Sequence, residues 1–201
     1  MKQIKLIVPD NWNDITIKQY QDFTKVLESK KGEKEKTFET VCIFCKVKRS
    51  DLNNFAFADV EKIAKILLKM TSADPSGIEL KRNIEFKKQN YGVIPNMSKM
   101  TTGEFVDLES YCENSTENLH KIVSILYRKQ VGAIDRFSRY EIENYKPTQE
   151  KEQLMLELPM GYALGILNFF FHLGEQLLID SVSYLETLKS NKTREHQLKE
   201  G

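Results

Sequence analysis

Apolar positions recur at helical spacing along most of this chain, and the breaks between them mark where one element gives way to the next. Residues 3–8 (QIKLIV) alternate polar and apolar instead and stop at Pro9, which predicts a short edge strand near the N-terminus. Thr16 with Gln19 three places on forms a capping-box pattern, and it opens a helix with Ile17, Tyr20, Phe23, Val26 and Leu27 on one face. Residues 29–36 (SKKGEKEK) read as an exposed, mobile connector. A helical pattern resumes at 38–47, breaks at Ser50-Asp51, and is followed by a short apolar turn over 52–57. Asp59 then caps a helix striped by Val60, Ile63, Ala64, Leu67 and Leu68.

Asp74-Pro75-Ser76-Gly77 is a strong turn cluster and the natural internal boundary. It separates an N-terminal helical region, 1–75, from a helical core region with short strands, 76–190, and a polar tail, 191–201. Residues 78–86 read as strand, with a hairpin into the extended stretch that ends at Pro95. The best-punctuated stretch follows, Tyr91 to Lys129. Thr101 sits three residues before Glu104, and Ser115 or Thr116 opens a second helix. The first helix presents Phe105, Leu108 and Tyr111 or Cys112; the second presents Leu119, Ile122, Val123, Leu126 and Tyr127, with Gly132 as its break. Residues 137–145 read as extended, and Pro147 as the first turn of a helix over 148–158. Pro159 restarts the chain into a long C-terminal helix, Met160 to about Lys189, some 45 Å at ~1.5 Å per residue. The expected fold class is mainly α, multi-helix, with a few short strands near the N-terminus and around residues 78–94.

Composition changes this picture little. The chain has 201 residues, 40% hydrophobic and 29% charged, which is ordinary for a folded globular protein. A net charge of +1 argues against a dedicated nucleic-acid binder. The charge is uneven, however: residues 1–100 carry 19 Lys+Arg against 13 Asp+Glu, and residues 101–201 carry 11 against 16. That split suits head-to-tail association or docking of one half on the other. Three cysteines, an odd number, suggest reduced thiols rather than a disulfide scaffold. The N-terminal apolar run is too short for a secretory signal. Residues 158–174 lack charge but contain Pro159, Asn168, His172 and three glycines, and fall short of the ~20 residues a membrane span needs. They read as a buried helix, in which Gly161-x-x-x-Gly165 permits close packing within the fold.

Candidate chemistry is sparse. Cys42-x-x-Cys45, completed by Cys112 and His120, has the ligand types of a structural zinc site, yet the cysteines lie inside an apolar helical run and read better as small core residues. His120 and His172 read as core histidines, with Glu175 a candidate partner for the latter. Glu104, Asp107 and Glu109 suit a helix N-terminus more than a catalytic pair. Residues 32–37 lack the Gly-Lys pair of a phosphate loop. Lys81, Arg82, Lys87 and Lys88, interleaved with Phe86 and Tyr91, could contact phosphates and stack a base, but lysines also guard exposed strand edges. No catalytic residue, cofactor or enzymatic activity is expected.

Several patterns together resemble a tailed-bacteriophage virion-assembly family of tail-assembly-chaperone-like proteins. They are Pro9, Trp12, Asp14-Ile15-Thr16 and Gln19-Tyr20; Gly92-Val93-Ile94-Pro95-Asn96, Met100-Thr101, Gly103-Glu104-Phe105, Asp107-Leu108 and Ile125-Leu126-Tyr127-Arg128; and Pro159, Ala163-Leu164-Gly165 and Phe169-Phe170-Phe171. The resemblance implies a non-enzymatic role, binding phage structural proteins such as tail or neck components, in the host cytoplasm during assembly or in the virion. It leaves homo-oligomerisation open and implies no membrane. The alternative is a nucleic-acid-binding regulator using the Lys81–Tyr91 stretch.

Overall fold

The computed structural model describes residues 6–95, 97–132, 140–170 and 172. Helix α1 (Ile17–Glu28) starts as its sequence predicts: the Thr16 hydroxyl accepts from the Gln19 amide, and the Gln19 side chain answers to the Thr16 backbone. Ile17, Phe23 and Val26 are buried, but so are Gln19 and Gln21, which no apolar periodicity marks. Gln19 Nε2 donates to the carbonyls of Ile43 and Phe44 at 2.8 and 3.2 Å, satisfying the open end of α2 (Glu33–Cys45). The start of α2 corrects the expected connector. Gly32 caps it, Glu33 and Glu35 occupy its first turn, and charge there stabilises a helix that composition alone suggests is loop. A short α3 (Arg49–Leu52) leads to α4 (Phe57–Thr71), which begins two residues ahead of Asp59 and buries Val60, Ala64, Leu67 and Met70.

At the 74–77 turn, Asp74 Oδ1 accepts from the Ser76 amide at 2.9 Å. The hairpin that follows pairs β1 (Asn83–Phe86) with β2 (Gln89–Val93). Its turn residues, Lys87 and Lys88, both have positive φ, 49° and 63°, the type I′ geometry that usually selects Asn-Gly. Helices α5 (Thr102–Cys112) and α6 (Ser115–Leu126) then form an antiparallel pair. Helix α6 runs without a loop into β3 (Tyr127–Val131), so Tyr127, expected in the helix, opens a strand instead. Strand β3 pairs with β2, Tyr91 opposite Lys129 and Val93 opposite Tyr127, and a short β4 (Glu141–Ile142) completes an antiparallel sheet in chain order. Helix α7 is Gln149–Met155, capped by Thr148, with Pro147 just outside it.

Residues 160–170 form α8, the described part of the long C-terminal helix; its expected continuation to Lys189 and the 191–201 tail lie outside the described residues. The two glycines of α8 pack inside the fold. A Cβ on Gly161 would meet Asn13 Oδ1 at 2.2 Å, and one on Gly165 would meet the Glu79 carbonyl oxygen at 2.6 Å. Asn168 Nδ2 donates to the Pro75 and Ile78 carbonyls at 2.7 and 3.2 Å, fixing α8 to the 74–77 turn.

The expected N-terminal strand is not formed over residues 6–8: Ile7 is 76% exposed while Leu6 and Val8 lean on the core, so side-chain packing rather than a ladder holds the segment. Residues 3–5 lie outside the described residues. Among the described residues near the N-terminus, pairing is a single antiparallel bridge, Thr16 with Pro159. Around it Ile17 N–H donates to Leu158 O, Lys18 N–H to Leu156 O, Met160 N–H to Ile15 O and Gly161 N–H to Trp12 O, at 2.8–3.0 Å. One continuous apolar core results, joining Ile17, Val41 and Leu67 to Ile84, Val93, Ile122 and Ile166 across the 74–77 turn. The fold is mainly helical with a small four-stranded sheet. Among the described residues no helix is long and apolar enough to cross a membrane.

Candidate interaction surface

The Tyr91–Lys129 stretch builds its surface from a helix start. Thr101 and Glu104 form the predicted capping box, Thr101 Oγ1 accepting from the Glu104 amide at 3.3 Å and Glu104 Oε2 from the Thr101 amide. That box turns Glu104 inward. Its other oxygen meets Arg128 Nη2 at 2.7 Å, and the two residues are only 3% and 8% exposed. A buried carboxylate–guanidinium pair thus ties α5 to β3. The next positions face out: Phe105 is 58% and Val106 53% exposed. Phe105 was expected on the buried face, and the ion pair occupying that face is the reason it is not.

Phe105 and Leu108 line an apolar groove of about 500 Å³ with Met97 and Met100 of the preceding turn and Phe170 of α8. Met100 N–H donates to Met97 O at 3.0 Å, so a one-turn 3₁₀ helix presents both thioethers to the groove. Flexible, polarisable methionines beside an exposed phenylalanine suit a surface that adapts to an apolar partner.

On the far side of Arg128 the segment 140–148 crosses the sheet on polar contacts. Tyr140 Oη donates to Val93 O at 2.7 Å, and its ring lies over Gly92, where a Cβ would meet Tyr140 Cε2 at 2.2 Å. Glu143 N–H donates to Lys129 O at 2.9 Å, and its carboxylate pairs with Lys151 at 2.9 Å. Tyr145 Oη donates to Asp107 Oδ2 at 2.6 Å; burial, and then that carboxylate, hold its phenol well above the usual range. Asp107 is therefore a strap anchor rather than only a helix-start charge.

The basic stretch is not assembled as a base-stacking site. Tyr91 is 3% exposed, buried by its pairing in the middle of the sheet, so it cannot receive a base. Lys87 Nζ pairs with Glu157 at 2.6 Å, Lys81 Nζ lies 5.7 Å from the Tyr162 ring centre, and Arg82 lies 5.8 Å from that of Phe169. Lys88 is at the exposed hairpin tip. The four cations flank β1, the first strand of the sheet, as edge-guarding lysines do.

The zinc candidates are not brought together either. Among the described residues no three His, Cys, Asp or Glu side chains converge as a metal-holding group. Cys45 is buried on α2 and burial pushes its thiol up to about 11; Cys42 is half-buried, and Cys112 is exposed at the end of α5. His120 is half-buried and accepts at Nδ1 from Gln21 Nε2, 3.2 Å away, while the same amide donates to the Thr116 and Glu117 carbonyls. Burial, then the charges of Lys121 and Lys25, depress its pKa, so the neutral ring is favoured. His172 is exposed rather than core, and Glu175 lies outside the described residues. No protein family, curated protein or solved structure matches this chain.

Proposed function

We propose that this protein is a non-enzymatic phage assembly protein of the tail-assembly-chaperone-like kind, binding other phage structural proteins through the groove at the start of α5. The observation that carries the binding surface is the exposed Phe105 in a groove with Met97, Met100, Leu108 and Phe170. Large apolar side chains grouped around a groove are the usual mark of a protein contact. The charge split supports the same reading. Among the ion pairs of the described residues, Lys87–Glu157 alone joins the basic half to the acidic half, so the asymmetry is left largely for outside partners. The phage assignment rests on the sequence resemblance, which implies the host cytoplasm during assembly or the virion.

The test is co-expression with tail and neck proteins followed by pull-down, in parallel with Phe105→Asp. An exposed phenylalanine tolerates that change without loss of the core. A tail or neck component should be retained by the parent chain and lost with Phe105→Asp. Retention of none, or equal retention by both chains, removes the proposal.

A further inference from the structure

We propose that the space beneath the 140–148 segment binds a small amphipathic anion, an aromatic or aliphatic carboxylate. A cavity of about 230 Å³ lies between that segment, β3 and α7, with Leu154 and Met155 supplying an apolar wall and Lys129 and Lys151 supplying cations. That volume lies below the range of drug-sized ligand sites, about 300–1,000 Å³, so the occupant is small.

The second observation is an unmet donor. Beside the cavity is a void of about 10 Å³, bordered by Arg128, Tyr145 and Lys146, and Ser124 and Lys151 line both spaces. It has room for about one oxygen-sized group. Arg128 is 8% exposed, and while its Nη2 meets Glu104, its buried Nε has no hydrogen-bond partner among the described residues. A buried guanidinium N–H without an acceptor is costly, and a ligand oxygen in the void would supply one. Charge favours an anion as well. Glu104 and Glu143 are matched to Arg128 and Lys151, and Asp107 accepts from Tyr145, so among the residues lining the two spaces Lys129 and Lys146 stand against Glu150. A carboxylate head towards Arg128 and Lys151, with its apolar body on Leu154 and Met155, uses each of these features.

This site stands apart from the groove, so it survives or fails independently of the assembly reading. The experiment titrates the full chain with phenylacetate, and with phenylacetamide as its uncharged counterpart, following backbone amides by NMR. Saturable shifts in β3 and α7 with phenylacetate, and about tenfold weaker ones with the amide, are expected. Lys129→Glu and Lys146→Glu alter exposed side chains and should each weaken binding about threefold to fivefold. Leu154→Trp should abolish it by filling the cavity. The proposal is overturned if phenylacetate gives no saturable shift, which would leave water as the occupant. Equal affinity for the amide, or binding unchanged in the two lysine variants, overturns it too. Those lysine variants decide the matter should Leu154→Trp fail to fold.

Discussion

Replacing Glu104 by alanine removes two contacts at once. It leaves the Thr101 amide without its side-chain acceptor and the Arg128 guanidinium buried without its carboxylate. Stranding one member of a buried ion pair costs about 3–5 kcal/mol, because the remaining charge keeps its desolvation penalty. Loss of half a capping box adds roughly 0.5–1 kcal/mol. Arg128 is held through one guanidinium nitrogen and already has an unmet Nε, so the lower end of the range applies. For a chain of this size each kcal/mol lowers Tm by about 2–4 °C, so a cost of about 3.5–4 kcal/mol gives a fall of roughly 7–16 °C. Urea unfolding followed by far-UV circular dichroism measures the free energy, and repetition at high salt should leave the difference intact, since a dry pair is little screened. Glu104→Met with Arg128→Met should recover most of the loss, as an apolar pair of similar volume leaves no stranded charge. A cost below about 1 kcal/mol for Glu104→Ala, or a double variant no better than the single, would refute the buried-pair argument.

Gly165→Ala should destabilise, because its Cβ would lie 2.6 Å from the Glu79 backbone, whereas Gly161→Ala meets only the movable Asn13 side chain and gains helix propensity; thermal unfolding of both should show opposite or clearly unequal shifts. Gly92→Ala should cost about 1–3 kcal/mol by displacing the Tyr140 ring, with faster amide exchange along 140–145 as its signature. Lys88→Gly relieves a left-handed φ of 63° and should raise stability by about 1 kcal/mol in the same unfolding assay. Because His120 has a folded pKa below its unfolded value of 6.5, acidification from neutral pH protonates the unfolded chain first. Stability should therefore fall as pH drops through 6.5 and level off below the depressed folded pKa; His120→Gln should flatten that part of the profile.

Local signals were legible where the physics is local. The boxes at Thr16–Gln19 and Thr101–Glu104 involve residues three apart, and both form as their spacing predicts. The close-packing glycines of α8 were legible for a similar reason, since an absent side chain on an apolar stripe implies a near neighbour. Three features escaped, each for its own reason. Phe105 faces out because Arg128, far along the sequence, claims the inward position for Glu104. Strand β3 looked like more helix because α6 passes into it with no turn residues between. The hairpin turn carries Lys87-Lys88 rather than Asn-Gly, so its residues marked charge and hid the geometry. The cavity was illegible altogether, being made where α7 meets a sheet that sequence periodicity did not complete.

The bridge between Thr16 and Pro159 has a consequence for how the chain is made. Residues 12–18 leave a ribosome well before residues 156–161, yet the backbone groups of the two segments give and receive each other's hydrogen bonds. About 140 residues of synthesis separate the two, on the order of ten seconds at usual elongation rates. Through that interval α1 has neither its anchor nor the full core against which Ile17 packs. Folding of the N-terminal helices is therefore completed late in synthesis, and a chain truncated before residue 156 should be a target for proteolysis rather than a stable fragment.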